Sequence, residues 1–331
     1  MQEYVSDSNI YTVDALYYEP ELASIHLVRE QNRVAIIDTG TQYSVPQVDA
    51  ALTELGLSFD NVELIILTHI HLDHAGGSSA LMKLCKNAQL IVHPKGARHM
   101  ADPEKLVAGA TAVYGEIEFA KLYGEIAPIE ESRIISPTDG EEISMGDRIF
   151  KFIDSPGHAN HHHCIVDAQT NSIFTGDTLG IAYQSLRDPD HAFVMPTTTP
   201  VQFNPDALHQ SIDKVMSYQP DYLYYTHYSM LAPSAQNIAG LHEQIDDFVM
   251  LTQKTAEQLQ YDEPAQDLEL NQRPELNEKF EQRLFDELRE YAVRRAQNEL
   301  STVSEDTIRH WVSLDSKLNA QGLAFWWQFR R

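Results

Sequence analysis

Four side chains able to bind a metal ion stand within six residues: His69, His71, Asp73 and His74, in Thr68-His69-Ile70-His71-Leu72-Asp73-His74-Ala75-Gly76-Gly77. Imidazole nitrogens and carboxylate oxygens are the donors that hold zinc and other transition metals. His69 and His71, spaced i and i+2, converge on one ion if the loop is tight, and Asp73 and His74 then face a second. Gly76 and Gly77 allow close backbone approach where the loop enters a helix. Three later segments add donors of the same kind. Ser155-Pro156-Gly157-His158 presents an imidazole on a tight turn, Phe174-Thr175-Gly176-Asp177 a carboxylate able to bridge two cations, and Tyr225-Thr226-His227 another histidine. Two cations about 3.5–4 Å apart can share a water, lower its pKa from ~15.7 towards ~7, and polarise a carbonyl or phosphoryl oxygen. Such a set needs no Ser–His–Asp nucleophile, and none stands out.

These groups fall at the ends of short β-rich runs. Strands are predicted at Ser24–Val28, Val34–Ile37, Leu64–Thr68, Leu90–His93, Ile149–Asp154, Cys164–Asp167, Ser172–Thr175 and Tyr222–Thr226, each rich in Ile, Val, Leu, Phe or Tyr. Helices are predicted at Pro46–Leu55, Ser78–Lys86, Pro103–Tyr123 with Asp102 as cap, and Pro205–Ser217 with Asn204 as cap. Mixed strands and helices imply a layered α/β architecture. From Ser234 the strand signals stop. Ala235–Gln260, Pro274–Gln297 and Glu305–Gln328 read as helices, separated by Asp262-Glu263-Pro264 and Asn271-Gln272-Arg273-Pro274, with the last helix starting near Ser304. The expected division is 1–230 as a catalytic domain and 231–331 as a helical C-terminal region.

The series His69-x-His71-x-Asp73-His74, the Pro156-Gly157-His158 turn, Gly176-Asp177 and His227 resembles the motif series of the metallo-β-lactamase-fold metallo-hydrolase superfamily. Asp38, in Ile36-Ile37-Asp38-Thr39-Gly40, matches the early aspartate that orders the metal loop in that family. The resemblance covers about residues 10–230. It implies a four-layer αβ/βα sandwich, with the site at one edge of the two sheets and a C-terminal helical extension. It also implies two divalent ions, one held by His69, His71 and His158, the other by Asp73, His74 and His227, with Asp177 bridging. Zinc is the first expectation, with iron or manganese as alternatives. Asp73 would also orient the nucleophile, a hydroxide bridging the metals, and His162 would fix ring orientation behind the ligands. A register with His162 or His163 as the ligand is the alternative. The segment His69–Gly77 and the helical insertion of 103–123 are most similar to a poorly characterised archaeal and bacterial subgroup. Asp177 stands where the best-known antibiotic-degrading classes carry cysteine or altered histidine, so the chain resembles the glyoxalase II, lactonase and phosphodiesterase-like members more closely.

The implied reaction is hydrolysis of an ester, lactone, thioester or phosphodiester. Iron-dependent sulfur dioxygenation and a metal-binding regulatory role are the competing readings. Tyr183, Arg187, His191 and Tyr228 are candidates for lining the substrate pocket, with Arg187 suited to a carboxylate or phosphate. The chain has 331 residues and a formal net charge of −25, from 24 basic and 49 acidic side chains. That balance opposes binding to nucleic-acid phosphates or anionic membranes and leaves a small-molecule substrate as the expected partner. With only two cysteines, Cys85 and Cys164, no disulfide framework is expected. A start without a basic leader and the lack of a long apolar run point to a cytoplasmic protein. The run Phe325-Trp326-Trp327-Gln328-Phe329 reads as helix packing, or else as a homodimer contact through the C-terminal helices or an entrance wall.

Overall fold

A computed structural model describes the chain except for Asp190, Thr199, Ser229, 260–273 and 330–331, and except for the side chains of 113–114 and 274–276. It falls into two compact units. One comprises Met1–Ser155, His161–Gly176 and Val215–Pro233; the other comprises Pro156–Asn160, Asp177–Lys214 and Ser234–Arg331.

The first unit holds two six-stranded sheets. One runs in chain order through β1 (Ile10–Asp14), β2 (Ser24–Glu30), β3 (Arg33–Ile37), β4 (Val62–Ile66), β5 (Gln89–Ile91) and β6 (Ile134–Ile135). Strands β1 to β3 are antiparallel, and β3 to β6 are parallel. The second sheet runs through β7 (Glu142–Met145), β8 (Arg148–Asp154), β9 (His163–Asp167), β10 (Ser172–Gly176), β11 (Tyr222–Tyr225) and β12 (Met230–Leu231). Its one parallel pair, β10 with β11, brings Gly176 and Tyr225 into register at the same end.

Burial on both faces explains the near-continuous apolar strands. In β4, Leu64 and Ile66 point between the sheets, toward a core with Phe150, Phe152, Ile165, Phe174 and Tyr224. Val62 and Ile65 point the other way, into a core that includes Val48, Leu52, Leu81, Met82 and Met100. Those partners come from α1 (Val45–Glu54), from α3 (Ser78–Leu84), which follows the single turn α2 (Leu72–Ala75), and from α4 (Pro94–Ala101). Mixed sheets flanked by helices make this an α/β sandwich.

The helix expected over Pro103–Tyr123 is instead two, α5 (Glu104–Tyr114) and α6 (Glu116–Tyr123). Gly115 separates them at φ +78, a left-handed conformation that ends one helix before the next begins. Helix α5 starts at Glu104, with Pro103 in the cap position instead of Asp102. Cys85 and Cys164 are buried thiols, neither in a disulfide, and burial pushes Cys85 up to about 12.

The second unit contains most of α7 (Pro205–Met216), together with α8 (Ala235–Gln258), α9 (Pro274–Glu299) and α10 (Glu305–Phe329). Asn204 caps α7 by accepting from Ala207 N at 3.0 Å, and Ser304 opens α10 by accepting from Thr307 N at 3.2 Å. The breaks expected at Asp262–Pro264 and Asn271–Arg273 lie outside the described residues. The segment after Asp177 is tied to these helices at several points. Thr198 N donates to Asn319 Oδ1 at 2.7 Å, Gln244 Nε2 donates to Val194 O at 2.8 Å, and Asp188 accepts from Thr302 N at 3.1 Å. In the aromatic run, Trp326 meets Phe203 edge to face at 6.1 Å, Trp327 is buried, and Phe329 is half exposed. Among the described residues no helix is long and apolar enough to cross a membrane.

Candidate metal centre

The parallel pair β3–β4 puts Asp38 beside the loop that leaves β4, with Asp38 N donating to Ile66 O at 2.8 Å. Asp38 is fully buried and holds φ +56, a costly conformation for a residue with a side chain. Its carboxylate accounts for the cost. It accepts from Thr68 N at 2.8 Å, Thr68 Oγ1 at 2.9 Å, Thr226 Oγ1 at 2.8 Å and His74 Nδ1 at 3.1 Å. One side chain therefore ties the end of β3 to the loop after β4 and the loop after β11. Thr39 adds a second tie, its hydroxyl donating to His74 O at 2.7 Å.

That framework fixes three donors. His74 Nε2 and His227 Nε2 lie 3.2 Å apart, and Asp73 Oδ2 lies 3.5 Å from the first and 3.3 Å from the second. Donors about 2.1 Å from a tetrahedral ion stand about 3.4 Å from one another, so this triangle has the size of one face of a metal's coordination shell. The hydrogen bonds behind the rings agree. His74 donates from Nδ1 to Asp38, and His227 donates from Nδ1 to Leu22 O at 2.9 Å. Each ring is thus fixed from behind through Nδ1 with Nε2 turned to the centre, the arrangement that orients metal-binding imidazoles. Burial works to raise the Asp73 carboxyl, but His74 and His227 outweigh it and hold the group well below the ordinary carboxylate range.

His69 and His71 form a second pair, with Nε2 of the first 2.9 Å from Nδ1 of the second. Thr68 Oγ1, already donating to Asp38, accepts from His69 Nδ1 at 3.1 Å, so His69 too presents Nε2. His162 packs parallel to His69 at 4.9 Å between ring centroids and meets Ser155 Oγ through Nδ1 at 3.0 Å. Gly176 is small because it must be: a Cβ there would come 2.4 Å from His162 Nε2. His163 donates from Nε2 to Leu67 O at 2.7 Å, a link between the sheets.

In the second unit, His158 and Asp177 form a pair of their own. His158 Nε2 lies 3.4 Å from Asp177 Oδ2, while its Nδ1 is held by Thr197 Oγ1 at 2.6 Å. The donor logic is again a backed imidazole beside a carboxylate oxygen at coordination-edge distance.

The four substrate candidates occupy varied settings. Tyr183 is buried and donates to Asp315 of α10 at 3.0 Å, and His191 Nε2 meets Glu299 of α9 at 3.1 Å. Arg187 is partly buried and bridges in the backbone to Ala192. Tyr228 is buried next to His227 in sequence, and burial pushes its phenol upward. Thr68, Thr226 and Thr197 were not among the sequence candidates. The signal for two of them is the repeated Thr-His dipeptide at Thr68-His69 and Thr226-His227, one at the end of each sheet's strand.

The 25% identical metallo-beta-lactamase fold-containing protein ST1585 of Sulfurisphaera tokodaii aligns over 219 residues, 65% of this chain and 76% of that protein. The solved structure of ST1585, from Sulfolobus tokodaii, superposes with a TM-score of 0.57 at 20% identity, covering 91% of this chain and 98% of that one. Acyl-coenzyme A thioesterase MBLAC2 of Bos taurus is 28% identical over 182 residues, and the match spans 51% of this chain and 63% of the thioesterase. A hydroxyacylglutathione hydrolase of Maricaulis maris is 27% identical over 150 residues, 45% of this chain and 44% of that enzyme. The sequence profile of the Metallo-beta-lactamase superfamily matches residues 18–227, well over half of the chain. The chain belongs to the metallo-beta-lactamase superfamily.

Proposed function

We propose that the protein is a binuclear metal-dependent hydrolase of small carboxylic esters, lactones or thioesters, or of phosphodiesters, acting in the cytoplasm with zinc as its first metal. The observation that carries this reading is the Asp73–His74–His227 triangle, with each ring's Nδ1 committed behind it. His69, His71 and His158 would hold a second ion, with Asp177 between the two. When bound, the ions would supply Lewis acidity and an activated water at neutral pH. Asp73, held as a carboxylate by His74 and His227, can accept a hydrogen bond from the attacking water and so aim it. Hydrolases among the relatives support the reaction type, and one of them, named for acyl-coenzyme A, puts thioesters first among substrates to try. The net charge of −25 weighs against extended polyanions such as nucleic acids as substrates.

The test is a panel of acetyl-coenzyme A, 4-nitrophenyl acetate, γ-butyrolactone and bis(4-nitrophenyl) phosphate, offered to chain reconstituted with zinc, manganese or iron. Turnover of at least one class is expected, lost on dialysis against chelator and restored by metal. Fully metallated protein that cleaves none of them contradicts the reading. Oxygen consumption with glutathione persulfide and iron would replace it with sulfur dioxygenation.

A further inference from the structure

Helix α7 carries His209 and Asp213 one turn apart, and α8 carries His242 and Asp246 with the same spacing. The two pairs cross. His209 Nε2 lies 3.2 Å from Asp246 Oδ1, and His242 Nε2 lies 3.3 Å from Asp213 Oδ1. Between them the two Nδ1 atoms face each other at 2.6 Å. The rings are parallel within 7°, with centroids 4.9 Å apart. That separation is the nitrogen contact plus the two ring radii, so the rings lie edge to edge in one plane and not face on face.

This geometry counts hydrogens. Carboxylates only accept, so each Nε2 carries a hydrogen. The facing Nδ1 atoms then require one more between them: none would oppose two lone pairs, and two would oppose two N–H groups. A metal ion on that line would need about 4 Å between the nitrogens, at ~2.0–2.1 Å per bond. The gap fits a proton. One proton on that line therefore serves both rings. Asp246 and Asp213 accept from the two outer nitrogens, and the neighbouring Glu243 turns to Arg295 of α9 at 2.9 Å.

Helix α7 is also the seat of the turn that carries His158. Asn204 N donates to Gly157 O at 2.8 Å, and Ser211 Oγ donates to Pro156 O at 2.6 Å. Gly157 sits at φ +130, and a Cβ there would come 2.4 Å from the Cα and N of Leu208. The turn thus rests directly on the helix backbone, on the residue preceding His209.

We propose that His209 and His242 are positioning residues: the proton they share pins α7 to α8 and thereby fixes the Pro156–His158 turn. The importance of that turn rests on the metal-centre reading, but the seat itself does not require metal. Hydrogen exchange on the full metal-free chain, from pH 5.5 to 9 with intrinsic chemical rates divided out, reads it at the amides of Asn204 and of Asn160, which donates to Gln202. Protection in the native chain is expected to peak at intermediate pH and to fall about fivefold toward both ends, the worth of one hydrogen bond. The His209→Gln/His242→Gln chain, whose facing amides can bond without a titrating proton, is expected to give a flat profile. A flat native profile, or an unchanged peak in the double variant, overturns the proposal. Zinc release to excess chelator should run about fivefold faster in His209→Gln at the pH of the native peak. Equal release rates overturn the link to His158, whereas failure of every chain to bind zinc overturns the metal-centre reading and leaves the exchange result standing.

Discussion

Asp73→Ala is expected to lower hydrolytic turnover at least about a thousandfold without unfolding the chain, a loss of the size seen when one electrostatic stabiliser is removed from an active site. The reasoning is local. Asp73 supplies the only oxygen of a triangle whose other corners are His74 Nε2 and His227 Nε2. Deleting it leaves two imidazoles that Asp38 and Leu22 O still hold in place. The fold therefore keeps its frame while the site loses both a ligand and the group that aims the water. kcat/KM on the best substrate, together with thermal melting, separates these effects. Asp73→Asn keeps the shape and one oxygen but loses the charge, so it should fall between the native and alanine chains. Unchanged turnover in Asp73→Ala would remove Asp73 from the chemistry.

The second large effect lies far from the histidines. Arg148→Ala is expected to cost about 3–5 kcal/mol of stability, the penalty for leaving a buried charge without its partner. Arg148 and Asp167 are both fully buried, joined through Nε at 2.9 Å and Nη2 at 2.6 Å across β8 and β9. Nη1 also donates to Ser8 O and Arg29 O, each at 3.1 Å. One guanidinium thus links the second sheet to the N-terminal segment and the end of β2. Urea denaturation measures the loss, which should change little with salt because the pair is shielded from solvent. Arg148→Met/Asp167→Leu should recover part of it, since no charge is left unpaired, but not all, since two carbonyls lose their donor. A single variant as stable as the native chain would mean that the pair contributes nothing net.

Much of the site could be read from residue order because its donors sit at strand ends, and strand ends are marked by where apolar runs stop. Leu64-Ile65-Ile66-Leu67 before Thr68-His69 is the clearest case, an apolar run buried on both faces and followed at once by polar donors. The long C-terminal helices were legible for the converse reason, a sustained helical composition without β-branched runs. Other features depended on contacts distant in sequence. Strand β1, Ile10-Tyr11-Thr12-Val13-Asp14, is short and gains its identity from antiparallel pairing with β2. Strand β7 is held by its pairing to β8. The break at Gly115 shows only as one glycine inside a helical pattern, a signal that does not distinguish a tolerated residue from a left-handed stop. Arg148 reads as surface charge until Asp167, nineteen positions on, is placed against it. The His209–His242 pair is likewise invisible along the chain, because its two His-x3-Asp segments meet only when α7 and α8 pack.

Metal content tests the central claim most directly. After equilibrium dialysis against zinc, the full chain is expected to retain two equivalents by elemental analysis, and Asp73→Ala no more than one. A native chain that retains no metal, or a stoichiometry that the loss of Asp73 leaves unchanged, would contradict the account.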